Sequence, residues 1–381
     1  MFLKLGAMSY GGPAIMGIMQ AEVQEKRGWL PKERFVEGLA LVNMLPGPGA
    51  TQLGIFLGHS RAGWVGGVLA GACFILPAFF IILALTLLYT QYGAVPGMRR
   101  VFYGLSPVVV GIFGAAVYRL GKAAVKDWKQ AMLAIGGAVA VGFTPIGIVP
   151  GLLLAGAVGV ALYHSRPWGV AAVMMGASAY GVRFWGGPWL AVPGLSWLAL
   201  DGTASPTLPG LWEIGVFFFK VGAFTFGGGL SILAFMHDQV VNQLHWLTPQ
   251  EFLDGLALGQ LTPGPILMLA AFVGHRVAGV WGAMVGGFVV FVPSFVLMVS
   301  LIPVLDRIKR IAWMKAGLKG IGPAVIGMIA AALIQMVPGA VPDFITALLA
   351  LATVVAMLAR RFSPLPLMAA GGAVGAVLRA R

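Results

Sequence analysis

Runs of apolar residues recur along the chain at lengths that suit helices crossing a lipid bilayer. They lie near residues 1–19, 35–58, 63–90, 99–119, 130–144 and 147–163, and again near 211–236, 252–275, 279–305, 314–337, 341–359 and 364–378. Crossing the hydrocarbon layer takes about 20 residues of helix, so the pattern predicts a polytopic, all-α membrane protein. Between the two sets, residues 164–210 are broken by Gly186-Gly187-Pro188, Pro193-Gly194 and Ser205-Pro206 around two apolar pieces, 169–182 and 188–200. This stretch reads as a linker that adds at most one crossing.

The two sets are copies of one another. Phe2-Leu3-Lys4-Leu5-Gly6-Ala7 returns as Phe218-Phe219-Lys220-Val221-Gly222-Ala223, and Gly11-Gly12 as Gly227-Gly228. Trp29-Leu30 matches Trp246-Leu247, and Phe35-Val36-Glu37-Gly38-Leu39-Ala40 is echoed by Phe252-Leu253-Asp254-Gly255-Leu256-Ala257. Pro46-Gly47-Pro48 returns as Pro263-Gly264-Pro265, Gly58-His59 as Gly274-His275, and Pro77, Gly104 and Pro107 as Pro293, Gly320 and Pro323. Matches of Lys, Trp, Pro and paired Gly in fixed order mark a duplication, not a shared apolar composition. The division expected is therefore an N-terminal repeat over 1–163, the linker over 164–210 and a C-terminal repeat over 211–381.

Charge adds orientation. The chain of 381 residues carries 25 Lys and Arg against 12 Asp and Glu, a formal +13, and is 59% hydrophobic. In a soluble protein that excess would point to nucleic acid; here basic residues in short loops facing anionic lipid account for it, and no nucleic-acid partner is expected. The loop after the first segment holds Lys26, Arg27, Lys32 and Arg34, whereas its counterpart 237–251 holds no Lys or Arg. The stretch 119–130 is basic and 337–343 is not; 306–319 is strongly basic, while its counterpart has only Arg99 and Arg100. All three pairs favour inverted topology. They agree on sidedness only if one of the segments 35–58 and 63–90 fails to span, and the Pro-Gly-Pro segment is the natural candidate for a re-entrant or broken helix. The single Cys73 excludes a disulfide framework and a thiolate metal site. No cleavable signal peptide is expected at Met1-Phe2-Leu3-Lys4.

The broken helices are where chemistry is expected. Backbone outside a helix survives at membrane depth only where protein or a water-filled cavity surrounds it. Asn43, Pro46, Gly47, Pro48 and Thr51 in the first copy, and Gln260, Thr262, Pro263, Gly264 and Pro265 in the second, form such interruptions. Paired interruptions in two related halves point to a transport site near the midplane. The N-terminus of each following half-helix would present free N–H groups to an anion; a kink serving only packing is the alternative. Gly11 and Gly12, with Gly227 and Gly228, could form a second pair of such ends or simply allow close packing. Lys4 and Lys220 sit in apolar runs, as cations facing the cavity or as snorkelling side chains. Glu37 and Asp254 are the candidates for proton coupling. His59 and His275, beside basic residues at segment ends, read as interfacial.

Together, Ser9-Tyr10-Gly11-Gly12-Pro13, Lys26-Arg27-Gly28-Trp29-Leu30, Phe35-Val36-Glu37-Gly38-Leu39-Ala40 and Leu45-Pro46-Gly47-Pro48, with Phe226-Gly227-Gly228-Gly229 and Thr262-Pro263-Gly264-Pro265, resemble the chromate ion transporter family. The resemblance covers roughly residues 2–120 and 217–335, and its long-chain members are two fused, homologous, oppositely oriented halves. It implies export of chromate across the bacterial inner membrane, driven by the proton-motive force, with resistance to chromate as the outcome and sulfate as a competing look-alike. Two departures stand out. The first copy begins at Met1 without counterparts of Leu211-Trp212-Glu213-Ile214, which leaves a short first helix or a misassigned start, and His245 stands where the first copy has Gly28.

Three classes compete: a secondary transporter of a tetrahedral oxyanion such as chromate or sulfate, an anion channel, and an intramembrane enzyme. The last needs paired acids, a metal motif or a Ser/His arrangement, and the sequence has none. The expectation is a transporter, not an enzyme, without cofactor or metal, in contact with the bilayer; a homodimer is compatible with this architecture.

Overall fold

The structure, a computed structural model, describes residues 1–8, 12–93, 95–144, 148–165, 210–226, 229–304, 311–359 and 363–378, with positions 167, 169, 170 and 173. Most of residues 164–210, the expected linker, and the basic cluster Arg307, Lys309 and Arg310 lie outside the described residues. Among the described residues there is no strand. The first half runs through α1 (Phe2–Ala7), α2 (Gly12–Gln20), α3 (Lys32–Met44), α4 (Gly49–Tyr92), α5 (Pro96–Ala124), α6 (Trp128–Phe143) and α7 (Ile148–Tyr163). The second follows in the same order with α8 (Leu211–Ala223), α9 (Ser231–Met236), α10 (Pro249–Leu261), α11 (Leu269–Val289), α12 (Val292–Leu301), α13 (Ala312–Ala340), α14 (Phe344–Leu358) and α15 (Pro364–Leu378). Among the described residues, four helical stretches, 49–92, 96–124, 266–301 and 312–340, are long and apolar enough to cross a membrane.

Stretch 49–92 does not run straight. At Ala62 (φ −144°, ψ 32°) and Gly63 (φ 62°, ψ −155°) the backbone leaves the helical region, and the chain folds back so that Gly58 faces Gly66 backbone to backbone. Ala278 (φ −139°, ψ 30°) and Gly279 (φ 60°, ψ −151°) repeat the bend in α11, where Gly274 faces Gly282. A second reversal precedes each bend. Gly38 in α3 lies against the Phe56 ring, and Gly255 in α10 against the Phe272 ring, although residues seventeen or eighteen apart in one helix would be separated by about 25–27 Å. The chain therefore enters along α3, turns at Pro46-Gly47-Pro48 and returns along 49–61; α10 and the start of α11 do the same around Pro263-Gly264-Pro265. The segment around Pro-Gly-Pro is a re-entrant hairpin, and only 64–92 goes on to span.

The halves are inverted and interlocked. The equivalent helices α5 and α13 run antiparallel, with Gly114 against Leu333 and Gly121 against Ile326. Each docks on the last two helices of the other half through small residues. In α5, Gly104 meets Gly371 and Gly375 of α15, and Gly111 meets Ala350 of α14. In α13, Gly320 meets Ala155 and Gly159 of α7, and Gly327 meets Ala134 of α6. Lipid tails are as apolar as leucine, so helices in a membrane associate through such close, van der Waals-dense approaches. Equivalent contacts that exchange partners between antiparallel copies define a pseudo-twofold axis lying in the membrane plane, the inverted-repeat arrangement of many carriers.

Candidate functional site

The two hairpins enter from opposite faces and meet tip to flank near mid-depth. Residue 78 lies halfway along the spanning stretch 64–92, and the Gly264 tip packs against Ala78. Its repeat equivalent is Ser294, and the Gly47 tip packs against Ser294. Both tip glycines sit at φ near +130° (Gly47 130°, Gly264 129°), a region that other residues adopt only at a cost. The Gly47 N–H donates to the Thr225 carbonyl at 2.5 Å, tying the first tip to the end of α8. Pro77 and Pro293, one residue before the contact points, each remove a backbone donor from the flanking helices.

Polar groups gather at the first tip. Thr51 and Gln52, in the first turn of α4, are fully buried. The Gln52 amide nitrogen donates to the Pro46 carbonyl at 2.5 Å and reaches the Ser294 hydroxyl at 3.5 Å. The Thr51 hydroxyl and the Gln52 Oε1 have no partner. No side chain caps the helix that begins at Gly49, and its N-cap position is Pro48, which cannot donate. A buried helix start with free N–H groups and unpartnered side chains is prepared for a negatively charged guest.

A cavity of about 650 Å³ opens between the halves and is lined by Tyr89, Arg99, Tyr103, Glu251, Asp254 and Arg276 among others. Asp254 is 6% exposed; its carboxylate accepts from the Tyr89 hydroxyl at 2.8 Å, across the boundary between halves, and from Gln250 at 3.0 Å. Arg276 is ion-paired with Glu251. The cavity lies where α4 ends, α5 and α10 begin and α13 ends. The bend at Ala62-Gly63, with Arg27 and Arg61 both over the Trp29 ring, lies at the other end of the spanning stretch. The basic loops 20–34 and 119–130 are therefore on the face opposite the cavity.

A family profile described as chromate transporter matches residues 1–162 and 212–376. The chain belongs to the chromate transporter family. It is 36% identical to a chromate transport protein of Cupriavidus metallidurans over 98% of this chain and 90% of that one. To a probable chromate transport protein of Synechococcus elongatus it is 32% identical over 92% and 86% of the two chains. A chromate transport protein of Pseudomonas aeruginosa is 31% identical over 88% and 79%. No solved structure matches the chain at a significant level. Membership in this transporter family and the apolar helices make the chain a multi-pass membrane protein.

Against this family frame, the residues singled out from sequence separate into groups. Pro46, Gly47, Pro48 and Thr51 lie at the first tip, and Thr262, Pro263, Gly264 and Pro265 at the second, with the Thr262 hydroxyl engaged on the Leu258 carbonyl at 2.8 Å. Gln260 is half-buried and Asn43 exposed, so the amide at the end of α3 does not join the tip. Gly11, Gly227 and Gly228 lie outside the described residues; Gly12 begins α2. Lys220 is 6% exposed in a helix whose Phe217 ring packs under Trp246, five residues before the carbonyl that holds Gly47. Lys4, its repeat equivalent, is exposed, because α1 turns Leu5 and Gly6 toward α4 and leaves the lysine outside. Glu37 is partly exposed and paired with Arg34 at 2.9 Å, unlike buried Asp254. His275 is also buried, three residues before the bend at Ala278-Gly279, and its Nδ1 has no partner. Sequence reasoning missed Gln52, Ser294 and Tyr89. A polar pair at 51 and 52 inside an apolar segment was the available signal for Gln52; Ser294 and Tyr89 come from distant segments and carried none.

Proposed function

We propose that this protein exports chromate from the bacterial cytoplasm across the inner membrane by exchange with protons, and so confers chromate resistance. The observation that carries this reading is the buried, uncapped helix start at the first tip, held at mid-depth between two inverted halves. A tetrahedral oxyanion is a dianion or monoanion with four acceptor oxygens, and aligned backbone N–H groups at the positive end of a helix dipole compensate the hydration it loses. Buried Lys220 adds positive charge one to two helical turns from the Thr225 anchor. Asp254 supplies the proton carrier: it is a buried carboxylate lining a cavity on the face opposite the basic loops, the side from which protons run down their gradient in a respiring bacterium.

Everted membrane vesicles test this, because export then reads as uptake. Labelled chromate uptake should accelerate when an acid-inside gradient is imposed, and excess sulfate should compete. Asp254→Asn should abolish the response to the gradient. Uptake that ignores the gradient and stops at the electrochemical equilibrium of the anion would make the protein a channel and overturn the reading.

A further inference from the structure

We propose that the protein holds a single oxyanion, at the first hairpin tip only, with Thr51, Gln52 and Ser294 as its side-chain ligands and the N–H groups of Gly49, Ala50 and Thr51 as its backbone ligands. This rests on the transport reading above and deepens it, since the sequence repeat by itself implies two equivalent tips. The tips are not equivalent in chemistry. After Pro48 come Gly49-Ala50-Thr51-Gln52; after Pro265 come Ile266-Leu267-Met268-Leu269, and the second copy is one residue shorter before its Gly-His pair.

That difference lowers the number of free donors from three at the first tip to two at the second, where the Ile266 and Leu267 N–H groups have no described acceptor and no polar side chain beside them. At the second tip the chain starts with a tight 3₁₀ turn, Ile266–Met268, in which the Met268 N–H is satisfied by the Pro265 carbonyl at 2.9 Å. Its first-turn side chains are apolar, and Leu267 and Met268 are buried. Such a turn consumes an orphan donor of the helix end. At the first tip, the Gly49, Ala50 and Thr51 N–H groups have no described acceptor, and the first intrahelical bond runs from the Gln52 N–H to the Pro48 carbonyl at 3.0 Å. The Thr51 hydroxyl has no partner although Thr51 is fully buried. An unsatisfied buried hydroxyl is costly; here it marks the place of a ligand.

Gln52 is oriented by its surroundings. The Pro46 carbonyl can only accept, so the amide nitrogen must face it, and Oε1 is left as an acceptor. The O–H of a monoprotonated oxyanion, or a water bound with the anion, meets that need. Ser294 accepts from the same amide nitrogen and retains its own proton for donation. It arrives from the opposite half, so the site is complete only when the first tip is docked against α12, and binding becomes coupled to the relation between the halves.

Equilibrium dialysis of the purified full-length protein against chromate, sulfate and molybdate, each tested separately, measures both stoichiometry and affinity. Wild type should bind one oxyanion per chain. Thr51→Val and Gln52→Leu should each weaken chromate binding by on the order of tenfold or more, and Thr51→Ser, which keeps the hydroxyl, should stay within about threefold of wild type. In the absence of ligand, Thr51→Val should melt at the same temperature as wild type or higher, because a methyl group replaces an unpaired buried hydroxyl. A merely structural threonine would instead lower the melting temperature and leave the affinity of the folded fraction unchanged. Two sites per chain, or unchanged affinity in both Thr51→Val and Gln52→Leu while wild type binds, would overturn the single-tip site and leave the transport reading standing. Wild-type protein that binds none of the three oxyanions would overturn both.

Discussion

A methyl group added at Gly264 has nowhere to go except into Ala78. An alanine Cβ there falls under 3.0 Å from the Ala78 Cβ, whereas relaxed carbon pairs sit about 3.5–4.0 Å apart. Two costs combine in Gly264→Ala: overpacking of about 1–3 kcal/mol and about 1–3 kcal/mol for an alanine held at φ 129°. Ala78→Gly alone costs about 1 kcal/mol for glycine inside a helix, with about 0.8 kcal/mol more for the lost buried methyl. Combined, the two substitutions remove the collision and leave the backbone strain, so the double variant should be more stable than the sum of the singles by about 1–3 kcal/mol. Unfolding in mixed micelles reads the stability, and chromate uptake into vesicles at matched protein level reads the function; uptake should recover in the double variant relative to Gly264→Ala. Costs that add within about 0.5 kcal/mol, with no recovery of uptake, would mean that the second tip does not rest on the first half's spanning helix.

Further expectations follow from other parts of the molecule. In a Cys73→Ser background, single cysteines at 122–129 should be labelled from the cytoplasm and those at 338–342 from outside; labelling of both from one side would contradict the inverted repeat. Lys220→Gln should weaken chromate binding at matched expression and Lys220→Arg should restore part of it, while Lys4→Gln, exposed on α1, should bind as wild type does; normal affinity in Lys220→Gln would remove that residue from the site. His245 sits at φ 51°, the conformation that Gly28 adopts at 57° in the first half, so His245→Gly should stabilise the protein by up to about 1 kcal/mol, read as a raised melting temperature. A lowered one would mean that the bond between the imidazole Nδ1 and the Val241 carbonyl outweighs the backbone strain.

That shared turn shows how far a sequence comparison reaches. Gly28 and His245 differ, yet the Trp29 N–H reaches the Val23 carbonyl at 3.0 Å and the Trp246 N–H reaches the Val240 carbonyl at 2.8 Å. The loop is kept because the backbone path and the tryptophan define it, and histidine tolerates the left-handed conformation at modest cost. The substitution therefore signalled a larger departure than the structure contains. Lys4 and Lys220 are the opposite case: they align perfectly, but only Lys220 is buried, because burial depends on which face of the helix meets a neighbour.

Apolar periodicity, the duplicated Lys, Trp and Pro-Gly-Pro motifs and the reversed loop charges determined by themselves that this is an all-α membrane protein of two inverted copies, with its helices broken at Gly47 and Gly264. Those properties are local or statistical: bilayer thickness sets segment length, proline and glycine act on their own backbone, and loop charge responds to the membrane potential and lipid. The tertiary structure decided the rest. Residues 35–58 reverse direction because Gly38 receives the Phe56 ring, and the tips rest on Ala78 and Ser294 because the two halves interlock. The buried carboxylate is Asp254 and not Glu37, because Tyr89 from the other half covers it. Each of these depends on contacts between residues far apart in the chain, and two copies that are alike in sequence acquire different surroundings once they pack against one another.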